Sequence, residues 1–232
     1  MSEERYKYYE PKAWLVVKPV PADDLEDSFS NVSELLAYCA RVSNPANQFN
    51  NETGEKLIRY LVKHKHWSPL EMASITVGMD STRDIAHQIV RHRSFAFQEF
   101  SQRYANPNDL DDAFVLREAR LQDEKNRQNS IESNDTVLQA WWEAQQIWVV
   151  EQARAVYNAA IERGIAKEQA RAVLPEGLTK TRLFMAGSIR SWIHYIELRS
   201  GNGTQKEHME LARVIAQAIA ELFPMAKEFV NE

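Results

Sequence analysis

A single cysteine, Cys39, stands in the 232-residue chain, so no disulfide can form within it. That excludes a disulfide-stapled scaffold and fits a reducing cytoplasm, the expected compartment. Glycine and proline are also sparse, at 7 and 8 residues, which excludes collagen-like and proline-rich architectures. No linker-like tract breaks the chain, so one domain over residues 1–232 is expected. The uninterrupted apolar runs are a few residues each, far short of the roughly 20 that a spanning helix needs. The stretch from Met1 to Glu10 is polar and lacks the apolar centre of a signal peptide. Positive charge is in deficit, with 28 Lys and Arg against 33 Asp and Glu and a net charge of -5. That balance argues against a nucleic-acid coat, because such binding rests on cations meeting phosphates. It leaves room for a local arginine cluster that holds one small anion.

What is present is a chain with 44% hydrophobic residues, long enough to bury a sizeable core. Ala13–Val17 is apolar and β-branched and predicts a strand. Asn31 and Glu34 make a capping-box pattern ahead of a helix expected to bury Leu35, Leu36, Cys39 and Val42. A second helix is predicted over Thr53–Lys65, on Leu57, Ile58, Leu61 and Val62. Ser74–Met79 reads as a strand, and Ser81 with Asp84 suggests the cap of a short helix on Ile85, Ile89 and Val90. From Phe95 the pattern alternates, and an extended chain puts alternate residues on one face. Phe95, Phe97, Glu99, Ser101 and Arg103 then share a face, opposite Ala96, Gln98, Phe100, Gln102 and Tyr104. Asn106–Asp135 is polar and acidic and predicts a surface excursion, partly mobile.

A long helix is predicted over Thr136–Arg163, closed by Gly164. It carries Trp141, Trp142 and Trp148, more apolar surface than one helix usually buries alone, which points to packing against another subunit. A short helix over Lys167–Leu174 stops at Pro175, and Thr181–Ala186 reads as a strand. Gly187-Ser188 reads as a break and N-cap before a helix striped with Ile189, Trp192, Ile193 and Ile196. A turn at Gly201-Asn202-Gly203 precedes a last helix capped by Thr204 and Glu207, with Pro224 near its end. The expected class is α/β of the α+β kind: a mixed, mostly antiparallel sheet flanked by helices, in a single domain.

The densest polar cluster is Arg91-His92-Arg93, followed by Ser101 and Arg103. Guanidiniums offer paired N–H donors in a plane, which suits phosphate oxygens. Glu99, Ser101 and Arg103 on one extended face make a candidate nucleotide cradle. A solvated basic turn followed by an edge strand accounts for the same residues, and on composition alone it is the stronger reading. His64 and His66 lack a third ligand at zinc-like spacing, so no metal site is expected. His194 lies one helical turn from Arg190, on the same face, which suits a shared ligand, although a satisfied core histidine is the alternative. Arg199 also suits a helix C-terminus on the dipole alone.

The segment RHRSFAFQEFSQRY, with Arg-His-Arg, seven residues and then Ser101, resembles the hallmark of the flavin-dependent thymidylate synthases. Three further segments are similar to that family and in the same order. They are Ala40–Ser43, His64–Glu71, and Ala170–Pro175 followed by Gly187–Arg199. The resemblance implies reductive methylation of dUMP to dTMP, with 5,10-methylenetetrahydrofolate as carbon donor and FAD recharged by NADPH. It implies that Gln88, Arg91, Glu99, Ser101, Gln102, Arg103, Arg171 and Arg199 bind dUMP. It implies FAD contacts from His66, Ser68, Arg91, His92, Arg93, Ser94, Glu99, Ser188, Ile189, Arg190 and His194. It further implies a homotetramer with active sites between subunits. Three departures stand out: Ser188 where the family usually has Asn, Met72 in place of a common His, and Gly203 where a His is often near.

Cys39, on the apolar side of a predicted helix, is a poor candidate for a thiolate attacking the uracil ring. Arg199 is the expected catalytic group, stabilising negative charge as N3 of the uracil ionises. Ser101 as nucleophile ranks lower, since no base is evident beside it. Three rivals come from other classes: a nucleotide-binding regulator without flavin, a metal phosphohydrolase on His64, His66 and Glu71, and a ligand-free helical interaction protein.

Overall fold

Two segments with alternating apolar residues set the centre of the fold, as seen in a computed structural model that describes residues 6–231. Residues 1–5, half of the polar N-terminal stretch, and residue 232 lie outside the described residues. In chain order the first elements are β1 (Lys7–Tyr8), β2 (Lys12–Val17), α1 (Val32–Ala40), α2 (Gly54–Lys63), β3 (Ser74–Thr82), α3 (Arg83–Ile89) and β4 (Ala96–Glu99). Then come β5 (Val115–Leu116), β6 (Arg120–Gln122), β7 (Ser130–Glu132), α4 (Thr136–Glu162) and α5 (Lys167–Ala170). The chain closes with β8 (Lys180–Ser188), α6 (Ile189–Arg199), α7 (Lys206–Ile219) and a 3-10 segment, Pro224–Phe229.

The main sheet has the order β2-β3-β8-β4, with every neighbouring pair antiparallel. Val77 lies opposite Met185 and Met79 opposite Leu183, so one face of β3 and β8 is apolar and fully buried. The helices cover that face. Leu36 of α1, Ile58 of α2, Trp192 and Ile196 of α6, and Leu211, Ile215 and Ile219 of α7 close the core. Each such side chain contributes roughly 1.5–3 kcal/mol by leaving water. The other face is more open: Gly78 sits under the Trp14 ring, and Arg182 stacks on Trp14 while gripping Asp80 at 2.7 Å. β1 and β5 form a separate two-residue parallel pair.

The expected antiparallel sheet and flanking helices are present, with corrections in detail. The α1 stripe is Val32, Leu36 and Ala37; Cys39 is half-buried and Val42 is 70% exposed, because the helix ends before it. The N-cap of α3 is Thr82 rather than Ser81, and that of α7 is Gln205 rather than Thr204, with no side-chain cap bond at either. The extended segment stops at Glu99, and Ser101–Tyr104 is a turn closed by Tyr104 N–H donating to Ser101 O at 3.0 Å. The predicted surface excursion is not all surface: Phe114, Val115 and Leu116 are buried, the last two paired to β1. Ser188 does cap α6, accepting from the Ser191 N–H, and Gly164 ends α4 with φ +80. No helix among the described residues is long and apolar enough to cross a membrane.

Candidate active site

The junction of β8 with α6 carries one side of the site. Ser188 ends the strand and turns the chain into α6, which projects Arg190, His194 and Arg199 on successive turns. The 3-10 turn Ser68–Glu71, opened by exposed Ser68, packs against this helix. Glu71 accepts from Arg190 at 2.6 Å, and the Trp67 ring lies 4.4 Å from the His194 ring. Bonds from Ser188 and then Arg190 hold the Glu71 carboxyl below the usual carboxylate range. His66 is exposed beside Tyr60, at 6.4 Å between ring centroids. Ser94 offers its carbonyl to the Ser191 hydroxyl at 3.3 Å, which ties the α3–β4 loop to the start of α6.

At the far end of α6, Arg199 donates through Nε to His92 Nε2 at 3.0 Å. This His92 nitrogen therefore accepts, and the ring is neutral. Burial, and then the Arg199 charge, push the His92 pKa down to about 4. The His92 ring also meets the buried Tyr195 edge-on at 5.0 Å. No side-chain bond joins Arg91, Arg93 or Arg171 to any other described residue, so the three are cations without an internal partner. Arg91 and Arg93 are exposed, and Arg171 is half-buried. A bidentate guanidinium left unpaired is what an anionic ligand needs.

The second group sits on the 101–104 turn and α5. Arg103 points out to Glu168 at 3.3 Å, and Lys167 donates to Tyr104 O at 3.0 Å, so the turn is anchored next to Arg171. Glu99 points the other way, accepting from Arg83 at 3.0 Å and Thr181 at 2.9 Å. The single extended face expected for Glu99, Ser101 and Arg103 is therefore not formed, because the chain turns at Ser101. The Ser101 hydroxyl accepts instead from the Arg103 N–H at 3.4 Å. Gln102 is 3% exposed and its amide nitrogen has no partner among the described residues. Ile189 faces the core rather than the surface, and its N–H is bonded to Ala73 O at 3.0 Å.

Gln88 links the site to a polar network that the sequence did not reveal. Its amide bonds His208 and Gln205, at 3.1 and 2.8 Å. Tyr195, Gln205, Glu207 and His208 were not among the expected site residues. Their signal was masked because His208 sits one turn before Leu211 on an amphipathic helix, where it reads as core. Of the three departures, Gly203 is accounted for by its φ of +92 in an exposed turn, and Met72 is exposed. Among the described residues no three His, Cys, Asp or Glu side chains come together as a metal site, and that includes His64 and His66.

The arginines follow α3, follow α5 and end α6, and the chain that carries them matches a known group of proteins. The sequence profile described as "Thymidylate synthase complementing protein" matches residues 24–225. A relative named "Probable flavin-dependent thymidylate synthase", from Paramecium bursaria Chlorella virus 1, is 47% identical over 209 residues, 90% of this chain and 93% of its own. The chain belongs to the flavin-dependent thymidylate synthase family. As a member it is an enzyme that works with a flavin cofactor. The family's "Flavin-dependent thymidylate synthase" from Synechocystis is 46% identical over 82% of this chain and 85% of its own. Among solved structures, a UMP/dUMP methylase from Streptomyces cacaoi bound with 5-Br dUMP superposes with a TM-score of 0.78. That pair is 25% identical, over 97% of this chain and 96% of the other.

Proposed function

We propose that the chain methylates dUMP reductively to dTMP, with FAD as its flavin, 5,10-methylenetetrahydrofolate as carbon donor and NADPH as reductant. The observation that carries this reading is Arg199 held by neutral His92. Only the Nε donor is used in that bond, so the outer guanidinium nitrogens are left for a ligand. A fixed guanidinium aimed at N3 of uracil stabilises the ring as it ionises, and C5 becomes nucleophilic without a thiol. Cys39 does not compete for that role: burial raises its pKa, so it is a thiol and not a thiolate at neutral pH.

The exposed residues suit a flavin dinucleotide. Unpaired Arg91 and Arg93 match a pyrophosphate, and the N-terminus of α6 adds partial positive charge beside Ser188 and Arg190. The Trp67 and His194 rings, tilted 55° to one another, offer an aromatic corner against which a ring can pack. When bound, FAD supplies the hydride that completes the methyl group. His66, Ser68, His92, Ser94 and His194 border that cofactor. Gln88, Arg91, Glu99, Ser101, Gln102, Arg103, Arg171 and Arg199 bind the nucleotide. Glu99 and Ser101 contribute mainly by fixing the strand end and the turn, since both already have internal bonds.

The two groups of residues lie on open surface, on separate elements. A homotetramer that brings the turn of one copy to the α6 side of another would close the site, and the exposed tryptophans of α4 supply the apolar surface for it. Incubation of the purified protein with FAD, NADPH, methylenetetrahydrofolate and dUMP tests the reading. Yellow protein that bleaches with NADPH and forms dTMP is the expected result. A folded preparation that neither takes up FAD nor recognises dUMP overturns it.

A further inference from the structure

A hydrogen-bonded chain runs beside the site, and of its members only Gln88 has a role above. It begins at Glu207, which is 3% exposed and takes Arg120 at 2.6 Å and Arg117 at 3.3 Å. Gln205 donates its amide N–H to the Glu207 carboxylate at 3.0 Å. Gln88 donates to the Gln205 oxygen at 2.8 Å. His208 Nδ1 meets the Gln88 oxygen at 3.1 Å, and the Tyr195 hydroxyl meets His208 Nε2 at 3.0 Å.

A carboxylate only accepts, so every later direction follows from it. The Gln205 oxygen must then face Gln88, and the Gln88 oxygen must face His208. Nδ1 of His208 carries the proton, and Nε2 accepts from Tyr195. The buried surroundings agree. Burial, aided by the Arg199 charge, keeps His208 neutral with a pKa pushed down to about 3, and burial keeps the Tyr195 phenol protonated. Turning the Gln88 amide over would set N–H against N–H and oxygen against oxygen at two links. Such buried groups would be left unpaired, so the turned amide is disfavoured.

Gln88 spends one N–H and one lone pair on this chain, and keeps one of each. Uracil shows carbonyl oxygens beside an N3–H; cytosine shows an amino group beside an N3 acceptor. The carbonyl at position 2 is common to both, but positions 3 and 4 are opposite in polarity, so a fixed amide that spans those two can match only one base. We propose that Glu207, acting through Gln205 and His208, locks the Gln88 amide in the orientation that admits a uracil edge and refuses a cytosine edge. The inference rests on the reading of Gln88 as a nucleotide-contacting residue. Glu207, Gln205 and His208 are positioning residues in this scheme.

The test is calorimetric binding of dUMP and of dCMP to the flavin-loaded enzyme. Wild type is expected to prefer dUMP strongly. Gln205→Met, a near-isosteric change at a half-buried position, frees the amide to turn and should lower the dCMP-to-dUMP Kd ratio at least tenfold, about 1.4 kcal/mol. His208→Leu should do the same, while His208→Asn, which can still donate to Gln88, should recover much of the preference. In a Gln88→Leu background, Gln205→Met should have no further effect on the ratio. Unchanged discrimination in Gln205→Met, or a wild type that binds dCMP as well as dUMP, overturns the proposal. A wild type that binds FAD but neither nucleotide instead overturns the reading of the site itself.

Discussion

At the scale of single residues, Arg199 and His92 behave as one unit. Arg199→Ala should lower kcat on the order of 100-fold while flavin stays bound, because a preorganised charge is lost but the cofactor cradle is not. Stopped-flow turnover beside flavin absorbance checks this, and wild-type turnover rejects the role given to Arg199. In the same variant the His92 pKa should rise from about 4, since one of its two depressing causes is gone; proton NMR of the ring reads it. His92 and His208 also set an acid limit. Both are held neutral in the fold, with pKa values near 4 and 3, while the unfolded chain titrates near 6.5. As pH falls below about 6.5 the unfolded state binds protons first, so stability present at neutral pH is lost toward pH 4. Urea unfolding from pH 7 to 4 should show that slope, and His208→Asn should flatten it.

At the scale of elements, the site depends on how closely β8 is approached by its neighbours. A Cβ at Gly187 would come within 2.4 Å of the Phe95 ring, the residue that follows Arg91–Ser94. Phe95 is wedged against Trp192 at 4.8 Å and cannot swing aside freely. Gly187→Ala should therefore destabilise by about 1–3 kcal/mol and weaken FAD binding by shifting the arginine loop; a thermal melt and a flavin titration together test it. The same closeness bears on what could be read from sequence. The strands and helices around α6 were legible, because Ile189, Trp192, Ile193 and Ile196 follow a helical period and Ser188 is a standard cap. The turn at Ser101 was not, since alternation in FAFQEFSQRY continues past the point where backbone bonds end the strand. Nor was the Gln88–His208 bond, which joins positions 120 apart with no local signature. Arginine pairing was legible as chemistry and not as partners: Arg103 and Arg190 are bonded to Glu168 and Glu71, while Arg91 and Arg93 have no side-chain partner among the described residues.

At the scale of the whole molecule, α4 presents Trp141 and Trp148 at 55% and 61% exposure, along an element whose buried residues are only Gln146, Val150, Ala153 and Tyr157. If copies of the chain meet there, Trp148→Glu should yield a smaller species in sedimentation velocity and lose flavin with it, as a charge in an apolar contact costs several kcal/mol. A variant that keeps both the wild-type size and its flavin removes α4 from the contact. The lone thiol turns this into a countable experiment. Cys39 gives one attachment point per copy, and its raised pKa means that a maleimide dye couples faster above neutral pH. Two batches carrying donor and acceptor dyes can then be mixed, and the growth of energy transfer with time reports how often copies trade partners.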